Sequence, residues 1–337
     1  MQLQLSEQEQ NRVMRSVQHA VPLVHDPFAE LGRETEVPEQ QVLALLQLWE
    51  AEDKLREISA ILEGSALGYE SALVAGKVEE RDIERVTEIV NAHPTVTHNY
   101  LRDHAYNLWY TIAVPHEMGL DATLAALSKL IGVRFHALRR TATFKIGVNF
   151  DLETRQNRTA ATSLETVAPV QVGTHEARLF RTLQTPLPLV ERPFIELARR
   201  HEVDADELLA FGRRHLGGAM RRYVGTLRHR KLGVRANAMI VWNAPDGKTE
   251  ELGQSLAQAP EVSHCYARNT IEGFPYTLYS MIHGPDLEAC QQVAGRLAAE
   301  LGVDDYRLLV SLEEFKKTRL RYFLPELDEW WAAHGGS

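Results

Sequence analysis

The sequence has little cysteine, no long apolar run and no excess of positive charge. Only Cys265 and Cys290 are cysteines among 337 residues, so we expect neither a disulfide framework nor a cysteine zinc site, and a reducing cytoplasm is favoured. No stretch approaches the ~20 apolar residues of a membrane helix, and the polar N-terminus lacks a signal-peptide pattern. The formal net charge of −9 argues against a dedicated DNA-binding protein, whose affinity would come from a basic surface.

Common catalytic motifs are also missing. The sequence contains no P-loop, no GxGxxG phosphate cradle and no serine-centred elbow. Histidine and cysteine pairs at zinc-ligand spacing are absent as well. Nucleotide-dependent chemistry and a dedicated metal centre are therefore not indicated.

An internal repeat organises the chain. PLVHDPFAEL begins at Pro22 and PLVERPFIEL at Pro188, while PTVTHNY begins at Pro94 and PEVSHCY at Pro260. Both pairs have the same separation, which we call the repeat offset, since 188 − 22 equals 260 − 94. Two unlike strings at one offset indicate a tandem duplication.

Each copy changes its hydrophobic period midway. Apolar residues first recur at helical spacing around a turn, which indicates a winged helix-turn-helix, and then follow the order βαββαβ of a ferredoxin-like domain. The predicted fold class is therefore α+β, in two tandem repeats. We expect winged helices at 1–62 and 184–232, ferredoxin-like domains at 63–150 and 233–324, a linker at 151–183 and a loosely docked C-terminal tail at 325–337.

Polar side chains recur at alternate positions of one predicted strand in the first copy. If this strand stays extended, one face carries all five of them, namely His98, Tyr100, Arg102, His104 and Tyr106. Such a titratable cluster favours a binding site for a flat anion over a solvated sheet face. The second copy keeps His264, Tyr266 and Arg268, has Thr270 in place of His104, and then inserts Ile271 to Phe274.

The second copy carries a basic segment that the first copy lacks. It contains Arg228, His229, Arg230, Lys231, Arg235 and Asn237, where the first copy has the string EGSA from Glu63. One interpretation is a composite site with a cationic wall from one copy and an imidazole-rich strand from the other. The alternative is a wing that contacts nucleic acid, or plain surface charge, although a reader of palindromic DNA would need both wings.

The strings HNYLRDHAYNLWYTIAVP in the first copy, and RRYVGTLRHRKLGVRANAMIVWNAP with VSHCYARNTIEGFPYTLYSMIHG in the second, resemble the siroheme decarboxylases. That family is related to the Lrp/AsnC regulators, whose layout is a winged helix followed by a βαββαβ domain. Its members work as pairs of similar subunits or as one fused chain. The resemblance covers nearly the whole sequence.

The resemblance implies removal of the C12 and C18 acetate carboxyl groups of siroheme, in heme d1 or alternative heme biosynthesis. It implies His98, His104 and His229 as proton donors, with His229 or His104 as a possible axial ligand of the substrate iron. The substrate-binding residues would be Tyr100, Arg102, Tyr106, Asn107, Arg228, Arg230, Lys231, Arg235, Asn237, His264 and Tyr266. We expect one active site per chain.

Because the macrocycle itself accepts electrons, no cofactor and no further metal are expected. Siroheme is the expected partner, together with a homodimer through the ferredoxin-like sheets and contacts with other tetrapyrrole-pathway enzymes. Nucleic acid and membranes are not expected partners. The alternative function is an Lrp/AsnC-type DNA-binding regulator with a ligand- or heme-sensing domain.

Overall fold

The computed structural model describes residues 3–146, 149–151, 156–158, 167–227 and 236–335. Within them the chain forms two compact units. The first contains residues 3–68, 167–227 and 321–323, and the second contains the other described residues. The helical parts of both copies thus share one unit and the ferredoxin-like parts share the other. The boundary in the first copy falls after Gly68, somewhat later than the predicted residue 62.

The first unit consists of two sets of three helices, each followed by one strand. The elements are α1 (Glu7–His19), α2 (Pro27–Thr35), α3 (Glu39–Ala51) and β1 (Leu55–Leu62) in the first copy, and α6 (Thr174–Leu183), α7 (Pro193–Arg200), α8 (Ala205–His215) and β8 (Met220–Leu227) in the second. Ser6 and Glu9 form a capping box at the start of α1, and Asp204 caps α8. β1 and β8 pair antiparallel with each other. The strand after the helices therefore joins the two copies.

Helix α6 corrects the linker prediction. Residues 174–183 are helical, and Leu179, Phe180 and Leu183 are buried on one face. The polar residues around them hid this apolar spacing in the sequence. Because α6 lies one repeat offset beyond the middle of α1, the second copy begins earlier than the predicted residue 184.

The second unit contains two ferredoxin-like copies. The first comprises β2 (Tyr69–Gly76), α4 (Ile83–Ala92), β3 (His98–Arg102), β4 (Leu108–Pro115), α5 (Leu120–Ile131) and β5 (Phe135–Ile146). The second comprises β9 (Ala236–Trp242), α9 (Thr249–Gln258), β10 (Val262–Arg268), β11 (Leu278–Gly284), α10 (Leu287–Leu301), β12 (Tyr306–Leu309) and β13 (Ser311–Lys317). A short hairpin, β6 (Asn149–Asp151) with β7 (Gln156–Arg158), follows the first copy, and α11 (Pro325–His334) ends the unit.

All described strands of the second unit, apart from the β6–β7 hairpin, form one sheet of nine strands. Its order is β12-β9-β11-β10-β5-β2-β4-β3-β13. The first half of β5 pairs with β2 of its own copy, and the second half pairs with β10 of the other copy. In the same way β12 pairs with β9, while β13 pairs with β3 of the first copy. Only Val310 separates β12 from β13, so one continuous stretch of chain supplies both ends of this strand order.

The helices cover the sheet with separate apolar clusters. Val74, Leu108 and Leu127 belong to the cluster of the first copy, and Ile240, Leu256 and Leu297 belong to that of the second. A third cluster contains residues from both copies, Trp109, Tyr279 and Phe274 among them. This third cluster packs the two copies together beside the cavity described below.

The C-terminal segment is not a loosely docked tail. Residues 325–334 form α11, whose Leu327 is buried, and Trp330 packs against the first-copy core. The Trp330 ring lies 4.3 Å from the buried ring of His93 at the end of α4. Among the described residues, no helix combines the length and the apolar character that a bilayer crossing requires.

His93 makes the folded state sensitive to acid. Its side chain is fully buried, and its Nδ1 accepts the Thr95 N–H at 3.3 Å. Burial, helped by the nearby Lys316 ammonium group, lowers the pKa of His93 from 6.5 to about 3. The unfolded chain therefore takes up this proton at a higher pH than the folded chain does. Stability from this group is present above about pH 6.5 and falls as the pH drops towards 3.

We expect His93→Gln to reduce the loss of stability on acidification. In the wild-type chain, proton uptake by this histidine in the unfolded state should lower the free energy of unfolding by about 2 kcal/mol between about pH 7.5 and pH 5. Urea unfolding of both chains at the two pH values measures the difference. His116→Gln is the control, because His116 is exposed in the turn after β4. An unchanged pH dependence in the His93 variant would contradict the assignment.

Candidate active site

A cavity of about 460 Å³ lies in the second unit, and both copies line it. The first copy contributes residues of β2, β3, β4 and β5, and the second contributes residues of β9, β10, β11 and β13. Among the lining residues are His98, Tyr100, Arg102, Trp109, Arg140, His264, Tyr266, Arg268, Tyr279 and Lys317. The structure thus brings polar groups of both copies into one cavity.

In the first copy, β3 presents His98, Tyr100 and Arg102 to this cavity. The Nδ1 atom of His98 lies 3.0 Å from the Thr97 hydroxyl, and the Arg102 guanidinium lies 5.3 Å from the centre of the Tyr100 ring. Arg102 is buried and donates from one terminal nitrogen to the Leu309 carbonyl at 2.7 Å. Because alternate residues of a strand face the same side, these three side chains reach the cavity together.

In the second copy, β10 presents His264, Tyr266 and Arg268 in the same way. His264 Nδ1 lies 3.0 Å from the hydroxyl of the preceding residue, Ser263. The Arg268 guanidinium lies 5.5 Å from the centres of both the Tyr266 and the Tyr279 rings. Its terminal nitrogen donates to the Leu138 carbonyl at 2.8 Å. The second strand therefore repeats the arrangement of the first.

The cavity has a cationic lining. Burial lowers the pKa of Arg102 and of Arg268 to about 10, so both stay protonated at neutral pH. Their Nε atoms are buried and have no hydrogen-bond partner among the described residues. Arg140 and Lys317 add two more cations, and the described part of the lining includes no carboxylate. Desolvated guanidinium groups with unused donors favour carboxylates, which they bind through charge-assisted hydrogen bonds.

The expectation that five side chains share one strand face is wrong beyond Arg102. β3 ends there because the chain reverses within residues 103–107, closed by the Arg102 N–H to the Asn107 carbonyl at 2.8 Å. His104 belongs to this turn, where its Nδ1 accepts the Tyr106 N–H at 2.9 Å. Tyr106 is buried and donates its hydroxyl to the Glu272 carbonyl. Neither His104 nor Tyr106 is among the residues that line the cavity.

Asn107 has a structural position and does not contact the cavity either. Its amide donates to the Val78 carbonyl at 2.8 Å and accepts the Val78 N–H at 2.9 Å. Both functions of the amide are thus used to fix the loop after β2. Asn107 is not among the residues that line the cavity, and its contact with the substrate stays a prediction.

The basic segment of the second copy lies outside the described residues. This applies to Arg228, His229, Arg230, Lys231 and Arg235. The backbone of Asn237 belongs to β9 and pairs with His283 on β11. Contact between this segment and the substrate therefore stays a prediction.

The structure adds cavity residues that sequence reasoning did not include in the site. Arg268 could have been found, because it lies exactly one repeat offset after Arg102. Arg140 lies opposite Arg268 on β5, and Lys317 lies opposite His98 on β13. Both positions result from strand pairing between the copies, and no local pattern in the sequence indicates that pairing.

Phe274, in the four-residue insertion of the second copy, supports one wall of the cavity. It is fully buried, and its ring centre lies 5.3 Å from that of Trp109 and 6.5 Å from that of Tyr279. Trp109 and Tyr279 in turn line the cavity. The insertion therefore holds two lining side chains in place. An apolar string inserted next to a polar strand was the signal for this role in the sequence.

We expect Phe274→Ala to destabilise the chain by about 3–5 kcal/mol, because a large buried ring leaves a cavity. Trp109 and Tyr279 should also lose their support, which would weaken ligand binding at the cavity. Chemical denaturation measures the first effect. Ile271→Ala, in the same insertion but only half-buried, is the control and should cost less. Equal losses in the two variants would contradict the role of Phe274.

Models of known protein families match the helix-turn-helix part and the ferredoxin-like parts of this chain separately. A family model described as an AsnC-like ligand binding domain matches residues 66–145 and again residues 231–316. The model described as the siroheme decarboxylase NirDL-like HTH domain matches residues 10–56. The fold and the family matches thus define a duplicated AsnC-like protein with a cavity that both copies line.

Full-length relatives specify the family. The siroheme decarboxylase of Hydrogenobacter thermophilus is 37% identical over 329 residues, which cover 96% of this chain and 97% of the relative. The crystal structure of the siroheme decarboxylase NirDL in co-complex with an iron-uroporphyrin III analogue matches with a TM-score of 0.78 and 33% identity, over 96% of this chain and 97% of that one. This chain belongs to the siroheme decarboxylase family.

A shorter relative matches about half of the chain. The siroheme decarboxylase beta subunit of Methanosarcina barkeri is 36% identical over 147 residues, which are 43% of this chain and 97% of the relative. A separate subunit there thus matches a segment about the length of one copy here. This supports the interpretation of the duplicated chain as two fused subunits.

Proposed function

We propose that this chain is a carboxy-lyase that converts siroheme to 12,18-didecarboxysiroheme by removing the acetate carboxyl groups at C12 and C18. One observation carries the proposal. The cavity combines four cationic side chains and two imidazoles from both copies, and its described lining has no carboxylate. Siroheme is a flat macrocycle with many carboxylates, so such a lining suits it. The iron-uroporphyrin analogue bound by the NirDL relative is a ligand of the same kind.

The residues of the cavity can support each part of the reaction. Arg102 and Arg268 would hold carboxylates of the substrate, with Arg140 and Lys317 adding positive charge. Loss of CO₂ leaves an electron pair that the macrocycle accepts, which is why we propose no separate cofactor. The methylene carbon then needs a proton, and an imidazolium is the best donor near neutral pH. We assign proton donation to His98 and His264, since the turn after β3 carries His104 away from the lining.

The remaining expectations accompany this proposal. His229 and the basic residues around it would cover the substrate, and His229 could ligate the substrate iron. We place the chain in the cytoplasm, in heme d1 or alternative heme biosynthesis. The chain would form a homodimer through its ferredoxin-like sheets. Contacts with other tetrapyrrole-pathway enzymes are part of the same proposal.

Anaerobic incubation of the purified chain with siroheme tests the function. We expect a Soret shift on binding, release of two CO₂ per siroheme, and a product that mass spectrometry identifies as the didecarboxylated macrocycle. Binding without CO₂ release would instead indicate a tetrapyrrole sensor. The same assay run without the protein controls for spontaneous decarboxylation.

The helix-turn-helix unit gives little support to the alternative of a DNA-binding regulator. The helix at the recognition position of the first copy, α3, has the sequence EQQVLALLQLWEA and contains no lysine or arginine. In α8 the basic residues lie only in the last turn. A recognition helix contacts base edges with its N-terminal residues, and phosphate contacts need positive charge. We therefore assign these helices a scaffold role.

A further inference from the structure

The cavity contains the same three side chains twice. His98, Tyr100 and Arg102 on β3 correspond, at the repeat offset, to His264, Tyr266 and Arg268 on β10. We call them the β3 set and the β10 set. The distance between histidine and tyrosine ring centres is 6.3 Å in the β3 set and 6.1 Å in the β10 set.

Three further contacts occur in both sets at matching distances. The arginine lies 5.3 Å from its tyrosine ring in the β3 set and 5.5 Å in the β10 set. Its bond to a backbone carbonyl of the other copy is 2.7 Å long in one set and 2.8 Å in the other. Histidine Nδ1 lies 3.0 Å from the preceding residue's hydroxyl in both. Divergence has changed most of the sequence around these groups but has left these distances nearly the same.

We propose that the cavity contains two catalytic half-sites, so that the β3 set decarboxylates one acetate arm of the substrate and the β10 set decarboxylates the other. The proposal rests on the proposed function and specifies how one cavity removes two carboxyl groups. The substrate can then stay in one orientation, because each reacting arm has its own proton donor and its own cation.

The symmetry of the substrate supports this division. The acetates at C12 and C18 lie on neighbouring pyrrole rings, on either side of the meso carbon C15, and each has a propionate beside it at C13 or C17. A two-fold axis through C15 therefore exchanges the two acetates and the two propionates. A cavity lined by two equivalent sets, one from each copy, can present the same groups to both arms.

The chemistry is the same and is balanced at each half-site. The bond between the methylene carbon and the carboxylate carbon breaks, CO₂ leaves, and the electron pair stays on the methylene carbon, delocalised into the pyrrole. The histidine imidazolium transfers a proton to that carbon and becomes a neutral imidazole, which solvent reprotonates. One acetate arm thereby becomes one methyl group, and no oxidant or reductant is consumed.

The neighbours of the two sets are different, so the two steps should have different rates. Lys317 is the strand partner of His98, whereas Ile146 is the partner of His264. Conversely, Arg140 is the partner of Arg268, whereas Ser311 is the partner of Arg102. A cation that stabilises the carboxylate before reaction slows its loss, since it stabilises the ground state. We therefore expect the wild-type chain to accumulate one monodecarboxylated isomer transiently.

The experiment compares His98→Gln with His264→Gln. Each variant is incubated anaerobically with siroheme, and the two monodecarboxylated isomers are separated and assigned by NMR. We expect each variant to stop at one isomer, the opposite one in each case, with the blocked step slowed roughly 10²- to 10⁴-fold. The isomer isolated from one variant should be completed by the other variant. His116→Gln is the control and should perform both steps at the wild-type rate.

The same regioisomer from both variants, or one variant that blocks both steps while the other blocks neither, would overturn the proposal. Either result would mean that a single set acts twice and that the substrate reorients. If the wild-type chain releases no CO₂ from siroheme, the proposed function fails, and the proposal fails with it. Should a glutamine variant not fold, Arg102→Lys and Arg268→Lys provide the same comparison of regioisomers.

Discussion

Replacing Arg102 and Arg268 together by methionine should lower the affinity for siroheme by about 3–6 kcal/mol, on the order of 10²- to 10⁴-fold in Kd. Both guanidinium groups line the cavity, and each has a buried Nε without a hydrogen-bond partner in the described part of the chain. A carboxylate that binds them replaces the hydration that burial has removed. Each charge-assisted contact of this kind contributes about 1.5–3 kcal/mol, which gives the range for two.

Titration of the Soret band measures this loss, and turnover at saturating siroheme shows whether chemistry survives once binding is restored. The matched control is Arg33→Met with Arg81→Met, because it makes the same change of net charge at two exposed positions. An Arg102→Lys, Arg268→Lys pair keeps the charge but loses the planar fork, so we expect an intermediate affinity. Wild-type affinity in the methionine pair would mean that these cations do not contact the substrate.

Replacing Arg102 and Arg268 by methionine should change the free energy of unfolding of the unliganded chain much less than it changes the free energy of siroheme binding. Burial lowers the pKa of both arginines to about 10, which shows that their charged form is poorly solvated in the folded state. Methionine removes that cost, although it also removes the bonds to the Leu309 and Leu138 carbonyls. These two effects oppose each other. Buried charged groups with an unfavourable desolvation energy are typical of binding sites.

The sequence was sufficient to predict the duplication, the order βαββαβ within each ferredoxin-like copy and part of the cavity lining. The repeat offset connects His98 with His264 because repeats preserve the position of a residue within its strand. Alternation along β3 placed Tyr100 and Arg102 correctly on the cavity face. The same rule failed at His104, because alternation holds only while the chain stays extended, and Asp103 begins the turn into β4.

The exchange of strands between the copies could not be predicted from local patterns. The second half of β5 and the whole of β13 leave their own copy and pair with β10 and β3 of the other copy. A strand's hydrophobic alternation specifies which face is buried but not which strand is its neighbour. Arg140 and Lys317 reach the cavity only through this exchange. The helix α6 was missed for another reason, since its short apolar face is surrounded by polar residues.

The strand exchange also explains why two fused copies can share one site. Each of the sets on β3 and β10 lies next to the exchanged strand of the other copy, so neither set is complete within its own copy. Fusion keeps the two halves at a fixed ratio and lets them diverge separately.

Replacing His98 and His264 together by glutamine should abolish most turnover while siroheme still binds. Glutamine keeps a hydrogen-bonding side chain of similar length but cannot deliver a proton at neutral pH. General acid catalysis contributes roughly 10²- to 10⁴-fold in rate, so we expect a loss of that size in kcat. Affinity should change only a few-fold, since the four cations of the cavity are intact.

Single-turnover release of CO₂ under anaerobic conditions measures this loss, and the Soret titration measures binding in the same preparation. The control is His19→Gln with His116→Gln, two exposed histidines away from the cavity lining. A wild-type rate in the cavity variant would move proton donation to another group, such as His229 in the basic segment or His104 in the turn after β3. A loss of both binding and turnover would instead mean that the two imidazoles hold the substrate, because a donor that acts only on the carbanion leaves the affinity for the intact acetate unchanged.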